Sequence, residues 1–238
     1  MINNVLLIPA YEASEVLLDL VIELSKSFSI IIVVNDGSKL ESSKKIFIKI
    51  DKINTVHLLK HTSNQGKGAA LKTGLSYALK NLFFDYIITL DADGQHLSRD
   101  VVRLSDYTQS NKDKTLVLGV RNFDSNVPFR SRFGNILTSL IFKFVYGYSM
   151  PDTQTGLRAI NKSIVHEIIH LSSNGYSFEV DVLIFLIKNK FEIAMVDITT
   201  VYLNGNKSSH FKPISDSIQI YRSILAFSTI SFLCFIID

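Results

Sequence analysis

Tyr86-Ile87-Ile88-Thr89-Leu90-Asp91-Ala92-Asp93-Gly94-Gln95-His96 joins an apolar, β-branched run to two carboxylates one residue apart and a glycine. The run reads as a buried strand of a parallel sheet, because such strands are covered on both faces and need no polar alternation. In open α/β sheets, ligands gather outside the carboxyl ends of the strands. Acids at such an end suit a hard divalent cation that is also held by a phosphate. The same residues also suit a plain turn, for which Asp93-Gly94 is a favourable pair.

Outward from this stretch, strands and helices alternate. Val5–Pro9, Ser29–Asn35, Thr55–Lys60 and Thr115–Val120 read as strands, the last ending at Arg121. Helical spacing covers Glu12 to Ser27, Lys39 to Ile50, a segment opened by the turn Asn64–Gly68 and running through Lys80, and Asp100 to Ser110. This alternation predicts an α/β fold: a doubly wound, mostly parallel sheet with helices on both faces. Further on, the pattern loosens. Asn122–Pro128 reads as a loop, and Phe129–Tyr148 as an apolar helix with Arg130 and Arg132 at its start. A polar loop over Asp152–Arg158 precedes two helices, Lys162–Leu171 and Phe178–Lys190. Glu192–Leu203 reads as a strand, followed by a polar loop with Lys207, His210 and Lys212.

At 238 residues with 47% hydrophobic and 20% charged side chains, the chain can bury a large core in one domain and is not disordered. A net charge of +3 is too small to argue for a nucleic-acid partner. Cys234 is the single cysteine, which excludes an intrachain disulfide and any two-cysteine motif. Val5–Ala10 is too short for a signal peptide and lacks a basic leader, so the catalytic part is expected in the cytosol. The tail Ile224–Ile237 is almost wholly apolar and follows Arg222. It is shorter than the roughly 18 residues that spanning needs, and it reads as a core helix, an interfacial anchor or a transmembrane helix cut short. Arg222 on its N-terminal side would place that side in the cytoplasm. The division expected is a domain over residues 1–222 and an apolar tail over 223–238.

Two motifs invite other readings. His166-Glu167-Ile168-Ile169-His170 has the H-E-x-x-H spacing of zinc metalloproteases, which puts two histidines on one helix face. The neighbouring isoleucines and Val165 form their own apolar face, however, and no third ligand is evident. Gln65-Gly66-Lys67-Gly68 has the glycine and lysine of a phosphate loop but neither the following Ser/Thr nor the earlier glycine, which excludes a Walker A loop. A helix N-terminus preceded by glycine still suits an anion.

The strand-end residues Pro9-Ala10-Tyr11-Glu12, Asp36-Gly37-Ser38, Gly66-Lys67-Gly68, Asp91 with Asp93, and Arg121 therefore form one constellation. Asp36 suits a base or ribose, Asp91 and Asp93 a metal on a diphosphate, and Arg121, Arg130 and Arg132 a phosphate matched by the planar guanidinium fork. Such a site takes a nucleotide carrying a leaving group, with a second anion nearby.

Ile8-Pro9-Ala10-Tyr11-Glu12, Asn35-Asp36-Gly37-Ser38, Gly66-Lys67-Gly68-Ala69-Ala70 and Asp91–His96 resemble the family-2 glycosyltransferases of the GT-A fold. The likeness is nearest to the dolichyl-phosphate mannosyltransferase-like branch, which glycosylates polyprenyl phosphates. Asp152–Arg158 and Ser208-Ser209-His210-Phe211 also resemble that branch, and the motifs occur in family order over residues 4–222. The chain has Asn35-Asp36 where the family often has two acids, and Glu12 follows Tyr11 without the family's intervening asparagine.

The resemblance implies an inverting enzyme that moves a sugar from a UDP- or GDP-linked donor to an undecaprenyl- or dolichyl-type phosphate, at the cytoplasmic face of a membrane, for cell-envelope glycan or glycoconjugate synthesis. Mg²⁺ or Mn²⁺ is implied on Asp91, Asp93 and Gln95, and Pro9, Ala10, Tyr11, Glu12, Asp36, Lys67 and Ala92 on the donor side. Asp93, Arg121 and Arg132 are the implied catalytic residues. Arg130, Arg132, Asp152, Gln154, Arg158 and His210 are placed on the acceptor side. A transferase of the same fold acting on a sugar hydroxyl is the first alternative; it would need a general base, with Asp152 or Glu179 the candidates. A non-catalytic nucleotide-binding membrane partner is the second.

Overall fold

The computed structural model describes residues 3–121, 139–140, 142–144 and 146–199. Its strands are β1 (Asn4–Ala10), β2 (Ile31–Asn35), β3 (Val56–Lys60), β4 (Tyr86–Thr89), β5 (Leu116–Arg121), β6 (Arg158–Asn161) and β7 (Ile193–Ile198). The helices with assigned bounds are α1 (Glu15–Leu24), α2 (Glu41–Ile50), α3 (Lys67–Asn81), α4 (Ser98–Ser110), α5 (Lys162–Ile168) and α6 (Ser177–Lys188). Among the described residues the strands form a single seven-stranded sheet in the order β3-β2-β1-β4-β6-β5-β7.

Side chains alternate across a strand with period two, and here both faces are covered. Val5 and Leu7 of β1, Ile32 and Val34 of β2 and Ile87 of β4 face a core closed by α3, α5 and α6, through residues such as Leu71, Leu75, Ile164 and Phe178. The intervening Leu6, Ile8, Ile31, Val33 and Ile88 face a second core closed by α1, α2 and α4, through Leu17, Val21, Phe47, Val101 and Leu104. This is the expected doubly wound arrangement, and it explains why β1, β2 and β4 read as unbroken apolar runs.

The sheet departs from a parallel one at β6, which pairs antiparallel with β4 and with β5. The sequence reading leaves residues 152–158 as a loop and passes from it directly to a helix at Lys162. Four residues, Arg158-Ala159-Ile160-Asn161, are too short for a periodic signal, and a charge at the first position hides the strand. Ile160 faces the α3/α5/α6 core and Ala159 the other, so alternation puts Arg158 on the α3/α5/α6 side.

Helix α1 begins later than the apolar spacing suggests. Glu12 has a left-handed backbone (φ 51°), and Ser14 is extended before the first helical residue. The expected strand Glu192–Leu203 is seen as β7 over Ile193–Ile198. Arg130, Arg132, Ser209, His210, the loops 122–128 and 204–213 and the apolar tail lie outside the described residues. Among the described residues no helix is long and apolar enough to cross a membrane.

Candidate active site

The carboxyl ends of β1, β2 and β4 point the same way, because these strands are parallel. Their loops are tied to one another by carboxylates that bind backbone. Asp36, just past β2, accepts from the Gln65 and Gly66 amides at 2.9 and 2.8 Å and from His61 Nδ1–H at 2.7 Å. His61 Nε2 lies 2.9 Å from Thr73 Oγ1. Asp36 is only 3% exposed, so its carboxylate is occupied inside the protein instead of facing a nucleoside as expected. Gly37 follows with φ +70°, and a Cβ there would lie 2.2 Å from the Ser63 carbonyl carbon; that contact and the left-handed backbone both require glycine.

Glu12 plays a similar part. Its Oε1 accepts from the Lys39 amide at 2.8 Å and its Oε2 from the Leu40 amide at 3.1 Å, next to the start of α2. An acid beside these unpaired amides suits the positive end of the helix. Its own N–H donates to Ser38 Oγ at 2.8 Å. Pro9 and Ala10 are buried at the end of β1, whereas Tyr11 is half-buried at the mouth of the same turn. The carboxylates of Asp36 and Glu12 thus shape the loops at the ends of β1 and β2.

The chemistry-bearing cluster lies past β4. Lys67, the first residue of α3, places Nζ 2.6 Å from Asp91 Oδ1 and 2.7 Å from Glu179 Oε2. The Tyr176 ring sits below it, 5.7 Å from the ammonium. His96 Nε2 approaches Asp91 Oδ2 at 3.6 Å. Glu179 continues the chain of charges to Arg158, whose Nε is 3.9 Å from Oε1. Gly156 closes over Asp91; a Cβ there would lie 2.3 Å from Asp91 Oδ2, and the Gly156 carbonyl accepts from Thr89 Oγ1 at 2.9 Å.

This arrangement separates the two acids. Burial by itself favours neutral forms, but Lys67 and then His96 outweigh it and hold the Asp91 carboxyl well below the usual carboxylate range. Asp91 and Glu179 likewise outweigh burial at Lys67 and hold its ammonium above the usual lysine value. Asp93 shifts the other way: burial, and then the charge of Asp91, push its carboxyl up. Asp93 Oδ1 accepts from the Gln95 amide at 3.0 Å. The two acids therefore differ: Asp91 is paired with Lys67, and burial together with Asp91's charge opposes ionisation of Asp93.

These hard oxygen donors fit Mg²⁺ or Mn²⁺. Among the described residues no three His, Cys, Asp or Glu side chains gather as a metal cage. A cation of this kind is commonly held by one or two carboxylates together with substrate phosphates and water. His166 and His170 meet edge to face with ring centroids 5.1 Å apart, and without a gathered third ligand among the described residues they do not make a zinc site.

The acceptor-side expectations divide. Arg121, at the end of β5, binds Asp152 side-on, Nε to Oδ2 at 2.6 Å and a terminal nitrogen to Oδ1 at 3.0 Å. Asp152 is fully buried and also accepts from the half-buried Gln154's amide at 3.2 Å. Arg158, expected to line the acceptor side, is 2% exposed. Its guanidinium donates to the carbonyls of Thr155 (2.8 Å), Glu179 (2.6 Å) and Thr153 (3.2 Å). Burial lowers its pKa, offset in part by Glu179. It is a structural cation beneath the site, fixing the 153–155 loop to α6.

Sequence reasoning also missed the Lys67–Glu179 pair. An acid in the first turn of a helix reads equally well as a dipole partner; the glycines of Gly66-Lys67-Gly68, which let α3 approach Asn174-Gly175 closely, are the one signal that could have joined the two.

Residues 5–169 match the family described as glycosyl transferase family 2. The chain is 33% identical over 216 residues to the UDP-N-acetylglucosamine–dolichyl-phosphate N-acetylglucosaminyltransferase of Methanococcus voltae, covering 83% of this chain and 85% of that protein. It is 30% identical over 206 residues to the dolichyl-phosphate beta-glucosyltransferase of Dictyostelium discoideum, covering 82% of this chain and 61% of that one. In fold it is similar to glucosyl-3-phosphoglycerate synthase from Mycobacterium tuberculosis, solved in complex with Mn²⁺, UDP and glucosyl-3-phosphoglycerate. That match has a TM-score of 0.68 at 15% identity and covers 94% of this chain and 79% of the other.

Proposed function

Since the chain belongs to glycosyl transferase family 2 and is related to dolichyl-phosphate sugar transferases, we propose that it moves a sugar from a nucleoside-diphosphate donor to a polyprenyl phosphate. The observation that carries this reading is the division of labour at the end of β4. Asp91 is kept ionised by Lys67 at 2.6 Å, and Asp93 beside it, not itself bonded to the lysine, accepts from the Gln95 amide at 3.0 Å. Asp93, with Asp91 and Gln95, would hold Mg²⁺ or Mn²⁺ on the diphosphate. Bound there, a divalent cation supplies Lewis-acid stabilisation of the leaving diphosphate.

The protein's own groups do the rest. The turn from Pro9 to Glu12 and the loop held by Asp36 bracket the nucleoside, and Ala92, packed against the core between the two acids, belongs to the same donor side. The acceptor phosphate oxygen forms its bond to the anomeric carbon from the face opposite the leaving group. The bond from that carbon to the diphosphate oxygen breaks, and the configuration inverts. Arg121, oriented by Asp152, faces the acceptor phosphate, and Arg130, Arg132 and His210 are assigned to the same side from the sequence.

A phosphate is already anionic at neutral pH and needs no general base. The two candidate bases for a hydroxyl acceptor support this choice. Asp152 is fully buried against Arg121, and Glu179 is 7% exposed and held by Lys67 and Arg158. Neither is placed to take a proton from a substrate. A lipid acceptor implies work at a membrane surface, which we assign to the cytoplasmic face.

Thermal unfolding with UDP, GDP and their sugar conjugates, each with Mn²⁺ and then with excess chelator, tests the donor half. A ligand at about 100 times its dissociation constant adds about 2.7 kcal/mol, which raises Tm by about 5–10 °C in a domain of this size. Stabilisation by one nucleotide series, lost with chelator, is expected and names the base. A folded sample that no nucleotide stabilises would point to the non-catalytic partner instead.

A further inference from the structure

We propose that Lys67 is a resident counter-ion that makes divalent-cation binding at Asp91 and Asp93 conditional on the nucleotide. The proposal rests on the donor site just described and concerns the order in which it fills. Lys67 Nζ already stands within hydrogen-bond distance of Asp91 and of Glu179. A cation arriving alone meets an ammonium on one of its two carboxylates, and like charges so close repel one another in this half-buried site.

The backbone that carries the ammonium is fixed. Lys67 opens α3, and the residue before it, Gly66, is pinned by its own amide on Asp36 at 2.8 Å. The amide of Ala69 is fixed on the Asn174 carbonyl at 2.9 Å. Glu179 gives Nζ a second anchor. Among the described residues no three metal-binding side chains gather here, so the cation also lacks enough protein ligands to displace it.

A nucleoside diphosphate changes both terms. Its phosphate oxygens complete the cation's ligand set, and its negative charge offers Lys67 a new partner at the N-terminus of α3, where anions are favoured. The lysine thus excludes the bare metal and accepts the metal–nucleotide pair. A purely structural ion pair predicts that neutralising Lys67 leaves the affinity for the bare ion unchanged.

The test is a Mn²⁺ titration followed by the electron paramagnetic resonance signal of the free ion, with UDP and GDP present or absent. The expected coupling is at least about tenfold tighter Mn²⁺ binding with the cognate nucleotide, a size ordinary for linked sites. Lys67→Met, and Lys67→Gln should the first fail to fold, are expected to bind Mn²⁺ alone about tenfold more tightly than the parent and to lose most of the coupling. Lys67→Arg keeps the charge and should keep weak binding of the bare ion. Tight Mn²⁺ binding by the parent without nucleotide, or neutral variants with unchanged affinity for the bare ion, would overturn the counter-ion role and leave the donor site standing. Nucleotide binding with no Mn²⁺ uptake under any condition would overturn the metal site itself, and this proposal with it.

Discussion

Asp93→Asn abolishes sugar transfer, by at least about a thousandfold, while its melting temperature without ligand stays equal to or above the parent's. The two halves of this expectation come from the same geometry. The carboxylate is held in a partly buried position where Asp91's charge opposes its own ionisation. Asparagine has the same shape and removes the repulsion, so the fold loses nothing. It also removes the negative charge that attracts the cation, and with it several kcal/mol of stabilisation of the leaving diphosphate. Transfer rates and thermal unfolding, each with and without Mn²⁺ and nucleotide, check both halves. The variant should also lose the metal-dependent stabilisation by nucleotide. Near-parental turnover in a folded Asp93→Asn protein would remove Asp93 from the metal.

Arg158→Met gives the opposite pattern: a protein destabilised by about 3–5 kcal/mol, the usual cost of removing one partner from a buried charge pair. In a domain of this size that lowers Tm by about 10 °C. Three carbonyls lose their donor at once, and Glu179 keeps a buried negative charge with Lys67 as its remaining close cation. Methionine fills much of the volume but satisfies none of these groups. Denaturant unfolding of parent and variant measures the loss. A variant of parental stability with a selective defect in acceptor affinity would return Arg158 to the acceptor side.

These two residues show where sequence reasoning reached and where it stopped. The alternation of apolar runs and amphipathic helices makes β1–β4 and α1–α4 legible, because buried parallel strands and two-sided cover leave a strong pattern. Asp91 and Asp93 stand out for a second reason: acids directly after a buried strand are at the end where ligands bind. Strand β6 left no pattern. Its four residues are short, and Arg158 at its start has the sequence signature of a polar loop even though its guanidinium is buried among carbonyls.

The acids were harder to sort than the fold. Asp36 and Glu12 lie at strand ends exactly as ligand contacts would, and only the distances to the Gln65, Gly66, Lys39 and Leu40 amides show that they hold the loops. Glu179 looked like a helix-start acid because its partner Lys67 is more than a hundred residues away in the chain and meets it only through the packing of α3 against α6. Residue type and position indicate where charge collects; which charge meets substrate depends on what each one already binds.

The most direct test follows a labelled sugar. The protein is incubated with Mn²⁺ and the nucleotide sugar that stabilises it most, and with each of three acceptors: a polyprenyl phosphate, the corresponding polyprenol and an oligosaccharide. Label in the lipid fraction with the polyprenyl phosphate, and with neither other acceptor, is the predicted result. Label on the polyprenol or the oligosaccharide, with none on the polyprenyl phosphate, would contradict the assignment of a phosphate nucleophile.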